Sequence, residues 1–302
     1  MKLIKPSFEI REQPSGLEGV YKQIEGAGRV CYKSEDKIAE GTAKAFVDRM
    51  IASGHGAMLE HGTVYLKCET EVINRYIHPE DGEEEDFNKL EKYEYNSYSV
   101  TNDDGIYLYV TTNLRVLVEN DWLDDLQYIC EPTEYHEKRI TVKFVCDRGV
   151  SHEFVRHRVF SFAQESTRYC NYSKGKFGYQ LTCIIPSWLG LEEGSYSLED
   201  VEEKYDKCLI IDRCKNAEEA SFVRALCHAE REYFDLLELN WKAQQARDVL
   251  PNSLKTELVM TGTIKQWEGF FKLRDAGSAH PQAYELAHPL HEEFIKRGYI
   301  NN

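Results

Sequence analysis

The chain is short of positive charge: 37 Lys and Arg stand against 52 Asp and Glu in 302 residues, a formal charge of −15. That deficit argues against a protein built to wrap a nucleic-acid polymer or to lie on an anionic membrane, since both need a basic face. Long apolar runs are missing too. None approaches the roughly 20 residues that cross a bilayer, and the opening Met1-Lys2-Leu3-Ile4-Lys5-Pro6 lacks the apolar segment of a secretory signal. The expectation is a soluble, cytoplasmic protein. The nine cysteines include no Cys-x-x-Cys pair, which fits reduced, mostly buried thiols better than a disulfide frame or a zinc site. There is no internal repeat and no Gly/Ser linker, and prolines number only 8. With 42% apolar residues the chain can bury a sizeable core as one large domain or two small ones, which excludes wholesale disorder.

What is present mixes strand and helix patterns. Leu3 to Ile10 reads as an edge strand, Thr63 to Cys68 and Ile140 to Val145 alternate as half-buried strands do, and Tyr107 to Thr111 is a third. Leu17 to Ile24 and Ile38 to Ile51 have helical spacing, the second stopped at Gly54. The last third reads mainly as helix: Leu198 to Cys214, Ala217 to Leu239, Leu254 to Arg274 with Ser253 as its cap, and Gln282 to Lys296. The predicted class is α+β, a mixed or antiparallel sheet flanked by helices, with a helical C-terminal half. Glu80 to Glu94 is strongly acidic and reads as a solvated loop or charged helix face within an insertion.

The densest chemistry is Arg156-His157-Arg158-Val159-Phe160-Ser161-Phe162-Ala163-Gln164-Glu165-Ser166-Thr167-Arg168-Tyr169. Successive helical residues point about 100° apart, so on a helix Arg156, His157 and Arg158 cannot face one ligand atom. They suit a ligand, or two adjoining ligands, with several anionic or polar groups. Arginine forks grip phosphate bidentately and a serine hydroxyl completes the shell, which makes Ser166 and Arg168 natural phosphate contacts. The competing reading is a salt-bridged surface answering the many carboxylates. Trp267, Phe271 and Arg274 fall at i, i+4 and i+7, so Arg274 ends an apolar stripe. It either faces a ligand or is simply well placed at a helix C-terminus. His55 and His61 flank Glu60, but their spacing does not put both on one helical face, and no metal site is assigned. His61, His228 and His291 read as structural.

Arg-His-Arg, seven residues, then Ser, with the trailing Arg168-Tyr169, resembles the signature of the flavin-dependent thymidylate synthases. Arg29-Val30-Cys31-Tyr32 and Gly54-His55-Gly56-Ala57-Met58-Leu59-Glu60-His61 are similar to that family's N-terminal region and its His-x-x-x-x-Glu-His segment. Ala246-Arg247-Asp248-Val249-Leu250-Pro251 resembles its Arg-x-x-Leu-Pro element, Leu273-Arg274 follows 27 residues after Arg247, and His280-Pro281-Gln282 is similar to its His-x-Gln element. The likeness covers residues 1–61 and about 140–300. Residues 62–139 read as an atypical insertion in a single catalytic domain spanning 1–302, either a lid or subunit contact over the folate or flavin site, or a surface subdomain with a small core of its own.

The resemblance implies a homotetramer with sites between subunits, binding dUMP, FAD, NADPH and methylenetetrahydrofolate and methylating uracil C5 without a cysteine nucleophile. Matched residue by residue, it implies Glu153, Arg156, Gln164, Ser166, Arg168, Arg247 and Arg274 for dUMP. Arg274 is the implied catalytic residue, because a fixed cation favours the N3-deprotonated, electron-rich uracil. For FAD it implies His55, Arg156, His157, Arg158, Gln164, Thr263, Lys265 and Gly269. The chain departs from the pattern at several of these places. Ala163-Gln164 stand for Asn-Glu, Glu153 for Gln, Ala57 for Thr or Ser, and Thr263 and Gly269 for two asparagines, while Lys265 keeps a cation. Glu165 is the candidate to supply the missing carboxylate if the turn is re-registered. These departures motivate two alternatives: a flavin-dependent uracil-C5 hydroxymethylase, and a flavin- or nucleotide-binding homologue without catalysis.

Overall fold

The computed structural model describes residues 1–70, 73–77, 84–198 and 214–301. In chain order, β1 (Lys2–Ile4) and β2 (Ser7–Arg11) lead into α1 (Gly16–Tyr32), α2 (Thr42–Ala52) and α3 (Gly56–Leu59). Then come β3 (Thr63–Glu69), β4 (Ile73–Ile77), β5 (Glu84–Asn88), β6 (Val100–Asp103), β7 (Tyr107–Asn113) and α4 (Leu114–Glu119). The motif region holds β8 (Arg139–Asp147), α5 (Arg148–Phe154), β9 (Ser161–Gln164), β10 (Thr182–Ile184) and β11 (Gly194–Ser195). The last elements are α6 (Ala217–Glu238), α7 (Ala243–Ala246), β12 (Lys255–Thr263), α8 (Ile264–Arg274) and α9 (Pro281–Lys296). The class is α+β.

The central sheet is antiparallel, in the order β2-β8-β12-β9. Its two faces differ in chemistry. On one, Val142 and Phe144 of β8 and Leu258 and Met260 of β12 bury against Phe154 of α5, Trp267, Phe270 and Phe271 of α8, and Leu290 and Phe294 of α9. On the other, the neighbouring positions Lys255, Glu257, Lys143, Thr141 and Thr261 are polar, and α1 covers them with only a small apolar patch of Ala27, Val30, Ala163 and Val259. Glu257 draws in Lys33 at 2.5 Å, Lys143 at 2.6 Å and Lys255 at 2.9 Å, and Lys255 also reaches Glu165 at 2.6 Å. Burial alone would raise the Glu257 carboxyl, yet the lysines hold it well below the usual carboxylate range.

Two three-stranded sheets extend this core, apart from the β4-β5 pair. β1 lies between β10 and β11 and packs with α6. The other sheet, β3-β7-β6, contributes Val64, Leu66, Leu108 and Val110 to a cluster that also contains Val20 and Ile24 of α1 and Phe46 and Val47 of α2. The segment 62–139 therefore shares its core with the N-terminal helices.

Several expected elements need correction. Leu254 to Arg274 is not one helix: β12 occupies Lys255–Thr263 and pairs along its length with β8, and the helix starts only at Ile264. Its cap is Thr263, not Ser253, through a Thr-x-x-Gln capping box in which Gln266 N–H donates to Thr263 Oγ1 at 3.3 Å and Thr263 N–H donates to Gln266 at 2.8 Å. The C-terminal half is accordingly not all helix, since it provides two strands of the central sheet. Leu3 to Ile10 is divided at Lys5-Pro6 into β1 and β2, which join different sheets; only β2 is an edge of the central one. The second helix starts at Thr42, after Gly41 at φ 77°, and ends before Gly54, whose φ of 68° is the left-handed stop expected there. Residues 199–213 of the proposed Leu198 to Cys214 helix and part of the acidic Glu80 to Glu94 stretch lie outside the described residues, but Glu84–Asn88 of that stretch is the strand β5, not a loop or helix face.

Candidate functional site

Helix α8 is anchored by its aromatic face, and Arg274 stands in its last turn, where the chain of α5 comes to an end. Asp147 caps α5 by accepting from Val150 N–H at 2.8 Å, and Gln282 of α9 donates to the same carboxylate at 2.8 Å. With both helices fixed, Arg274 Nη1 donates to Glu153 Oε2 at 2.5 Å, Nη2 to the Glu153 carbonyl at 2.8 Å, and Nε to His157 Nε2 at 3.0 Å. An imidazole that accepts at Nε2 is neutral. Burial, and then the Arg274 charge, push His157 down to about 4. Three implied site residues, Glu153, His157 and Arg274, are thus brought into direct contact.

Arg156, His157 and Arg158 lie in the turn between α5 and β9, not on a helix, and their side chains diverge. His157 packs on Phe270 with ring centroids 5.0 Å apart, while Arg156 and Arg158 are exposed. The turn is seated by Phe160 against Gly262, where a Cβ would stand 2.6 Å from the ring. Arg168 and Arg247 are exposed as well. Among the described residues none of Arg156, Arg158, Arg168 and Arg247 has a carboxylate at ion-pair distance, although the chain is strongly acidic. This weighs against the salt-bridged-surface reading and leaves four guanidinium groups available to an anion.

Ser166 is half-buried. Its N–H donates to the Cys31 carbonyl at 3.0 Å and its Oγ accepts from Arg168 N–H at 3.3 Å, so it sits at the junction of α1 and the motif strand. Gln164 points to the other side of the sheet, donating to Ser151 Oγ at 2.9 Å and Thr256 Oγ1 at 3.2 Å. Glu165 does not replace the missing carboxylate in the exposed arginine set: it is buried and bound to Lys255 and to Tyr172 Oη at 3.4 Å. Arg247, in a short turn after α7, makes no hydrogen bond to the Arg-His-Arg turn within one chain.

A cleft of about 600 Å³ opens between that turn, the start of α8, α3 and strands β6 and β7. Of the positions implied for flavin, Arg158 and Thr263 line it, beside Ala57. His55 is exposed at the start of α3, and Lys265 and Gly269 are exposed on α8; a side chain at 269 would meet nothing within 4 Å. Further lining residues that the sequence did not single out as site positions include Tyr98, Thr111, Arg139 and Ser161, the first two within the segment expected as a lid or subunit contact. Ser161 lay inside the quoted motif, whereas Arg139 and Thr111 join the cleft only through the pairing of β3 with β7 and of β8 with β12.

His61 is fully buried. Its Nδ1 lies 2.8 Å from Thr261 Oγ1, and burial and then Arg139 push it down to about 3. Among the described residues no group of three His, Cys, Asp or Glu is placed to hold a metal ion, and no helix is long and apolar enough to cross a membrane. Burial also raises the cysteines, Cys31 to about 11 and Cys170 and Cys183 to about 12, which disfavours a thiolate nucleophile.

Comparison with known proteins bears on this arrangement. A flavin-dependent thymidylate synthase of Pyrococcus abyssi is 26% identical over 152 residues, 50% of this chain and 52% of that protein. One from Mycobacterium tuberculosis is 28% identical over 144 residues, 46% and 50%. The chain spans about half the length of the curated relatives it matches. The crystal structure of a UMP/dUMP methylase from Streptomyces cacaoi bound with 5-Br dUMP aligns with 98% of this chain and 93% of that chain, at 17% identity and a TM-score of 0.41, a likeness too low to add weight. The family profile described as thymidylate synthase complementing protein matches residues 132–297, more than half of the chain, and takes in the Arg-His-Arg turn, Ser166, Arg247 and Arg274. The chain belongs to that family.

Proposed function

We propose that the protein is a flavin-dependent thymidylate synthase, converting dUMP to dTMP with methylenetetrahydrofolate as carbon donor and NADPH-reduced FAD as hydride source. The observation that carries this reading is the set of exposed arginines that have no carboxylate partner among the described residues of an acidic chain, beside an Arg274 held in one orientation by Glu153 and His157. Arg156, Ser166, Arg168 and Arg247 bind the nucleotide phosphate and sugar, with Glu153 orienting the remaining polar groups, while Gln164, bound to Ser151 and Thr256, acts from behind the strand. Arg274 faces the base, where its fixed charge stabilises the N3-deprotonated uracil.

The residues of the cleft fit a flavin nucleotide: they combine cations, a buried hydroxyl without a partner among the described residues and aromatic rings in a volume usual for such ligands. In this reading Arg158 and Thr263 touch it in the cleft, and His55, Arg156, His157, Gln164, Lys265 and Gly269, implied for FAD by the motif, do not line that cleft in the single chain. When bound, FAD supplies the hydride chemistry that no side chain provides. His157, held neutral, contributes an uncharged ring and keeps Arg274 aimed. Arg247 makes no bond to the turn in its own chain, which accords with a homotetramer whose sites are completed by a second copy. The nucleotide and folate substrates make the cytoplasm the expected compartment.

Calorimetric titration tests the phosphate assignment. The parent protein binds dUMP at least tenfold more tightly than deoxyuridine, and Ser166→Ala or Arg168→Ala narrows that gap. Equal affinity for both ligands would show that the phosphate is not held here.

A further inference from the structure

Arg139 enters the cleft as a cation without an anion. Its Nη1 donates to the Glu60 carbonyl at 3.1 Å and to Thr63 Oγ1 at 3.3 Å, and its Nη2 donates to Ser161 Oγ at 3.2 Å. All these acceptors are neutral, and a guanidinium carries five N–H groups, so donor capacity is left over. Among the described residues no carboxylate lies within ion-pair distance of it. The carboxylate of Glu60, on the same wall, is bound to Arg115 at 2.5 Å. Holding a charge away from water without a counter-charge is costly, enough that burial pulls Arg139 down to about 10.

A second group in the cleft is also left wanting. Thr111 of β7 is 3% exposed, and its Oγ1 has no hydrogen-bond partner among the described residues. Buried hydroxyls are rarely left so. The arginine comes from the start of β8, the hydroxyl from the insertion, and Arg158 of the motif turn lines the same cavity.

We propose that Arg139 and Thr111 form an anion subsite, built with the help of the insertion, that takes phosphate oxygens of the flavin nucleotide bound in the cleft. The proposal rests on the flavin reading above, and it concerns residues outside the positions carried by the motif. It gives the insertion a task in binding, and it supplies contacts in a chain whose Thr263 is engaged in capping α8 and whose residue 269 has no side chain.

Fluorescence quenching on the purified full chain gives the test, with FAD and riboflavin as probes, because riboflavin lacks phosphate. Arg139→Met weakens FAD binding at least tenfold and changes riboflavin binding less than twofold. An equal loss for both ligands, or no loss for FAD, overturns the assignment. Since Arg139 also ties three parts of the fold together, Thr111→Val is the complementary variant. It keeps the side-chain shape and removes an unpaired hydroxyl, so the thermal midpoint stays level or rises while the Kd for FAD increases at least threefold; an unchanged Kd removes Thr111 from the site. If the parent protein binds neither flavin, the flavin reading fails on its own, and inorganic pyrophosphate in the presence of saturating dUMP becomes the probe. Loss of pyrophosphate binding in Arg139→Met then supports the anion subsite, and equal binding by both proteins overturns it.

Discussion

Arg274 makes all its observed bonds to two residues, so its removal has two separable consequences. Turnover of Arg274→Ala falls by about 100-fold or more, the scale set by deleting one preorganised electrostatic contact, while dUMP still binds weakly. His157 also loses the neighbouring charge that helps to depress it, so its imidazole titration moves up from about 4. Steady-state kinetics and proton NMR of the same variant check both, and unchanged turnover would remove Arg274 from the mechanism. The depressed histidines have a further effect on stability. His157 and His61 are held neutral to about 4 and about 3, whereas unfolded histidine takes up a proton near ~6.5. Their contribution is whole above pH ~6.5 and is lost as pH falls toward the folded values, because the unfolded chain then binds more protons, by about 1.4 kcal/mol per pH unit for each histidine. Urea unfolding at pH 7.5 and pH 5 shows this loss, and His157→Gln reduces it by roughly half; a pH-independent stability would contradict the burial of both rings. The arginines were legible in the sequence because charged, spaced residues carry their chemistry wherever the backbone runs. Arg139 and Thr111 were not, because their meaning comes from strands paired across the insertion.

At the scale of the element, β12 organises the molecule, and it is the element that sequence patterning misread. A strand buried on both faces shows no clean alternation, so Leu258, Met260, Trp267 and Phe271 imitate one long amphipathic helix. The Thr256, Val259, Thr261 and Thr263 series and the Thr263-Ile264-Lys265-Gln266 capping box were the signals against it. The isolated strands Thr63 to Cys68 and Ile140 to Val145 were legible because one period dominates each. The polar face of the sheet was not, since the partners Lys33, Lys143, Lys255, Glu165 and Glu257 are scattered along the chain. Glu257→Gln leaves those ammonium groups with less counter-charge inside the fold and lowers unfolding free energy by about 3–5 kcal/mol. Chemical denaturation measures it, and a loss below about 1 kcal/mol would show that water reaches the network.

For the whole molecule, residues 62–139 and the rest of the chain meet around the motif turn: β3 and β7 share a hydrophobic cluster with α1 and α2, and β6 and β7 wall the cleft. Whether these parts act together on a nucleotide is decided by the mass of the product. Purified protein supplied with FAD is incubated anaerobically with dUMP, methylenetetrahydrofolate and NADPH, and the nucleotide is weighed by mass spectrometry. The expected product is dTMP. A hydroxymethylated nucleotide, or unchanged dUMP from a folded, flavin-loaded sample, would contradict thymidylate synthesis by this chain.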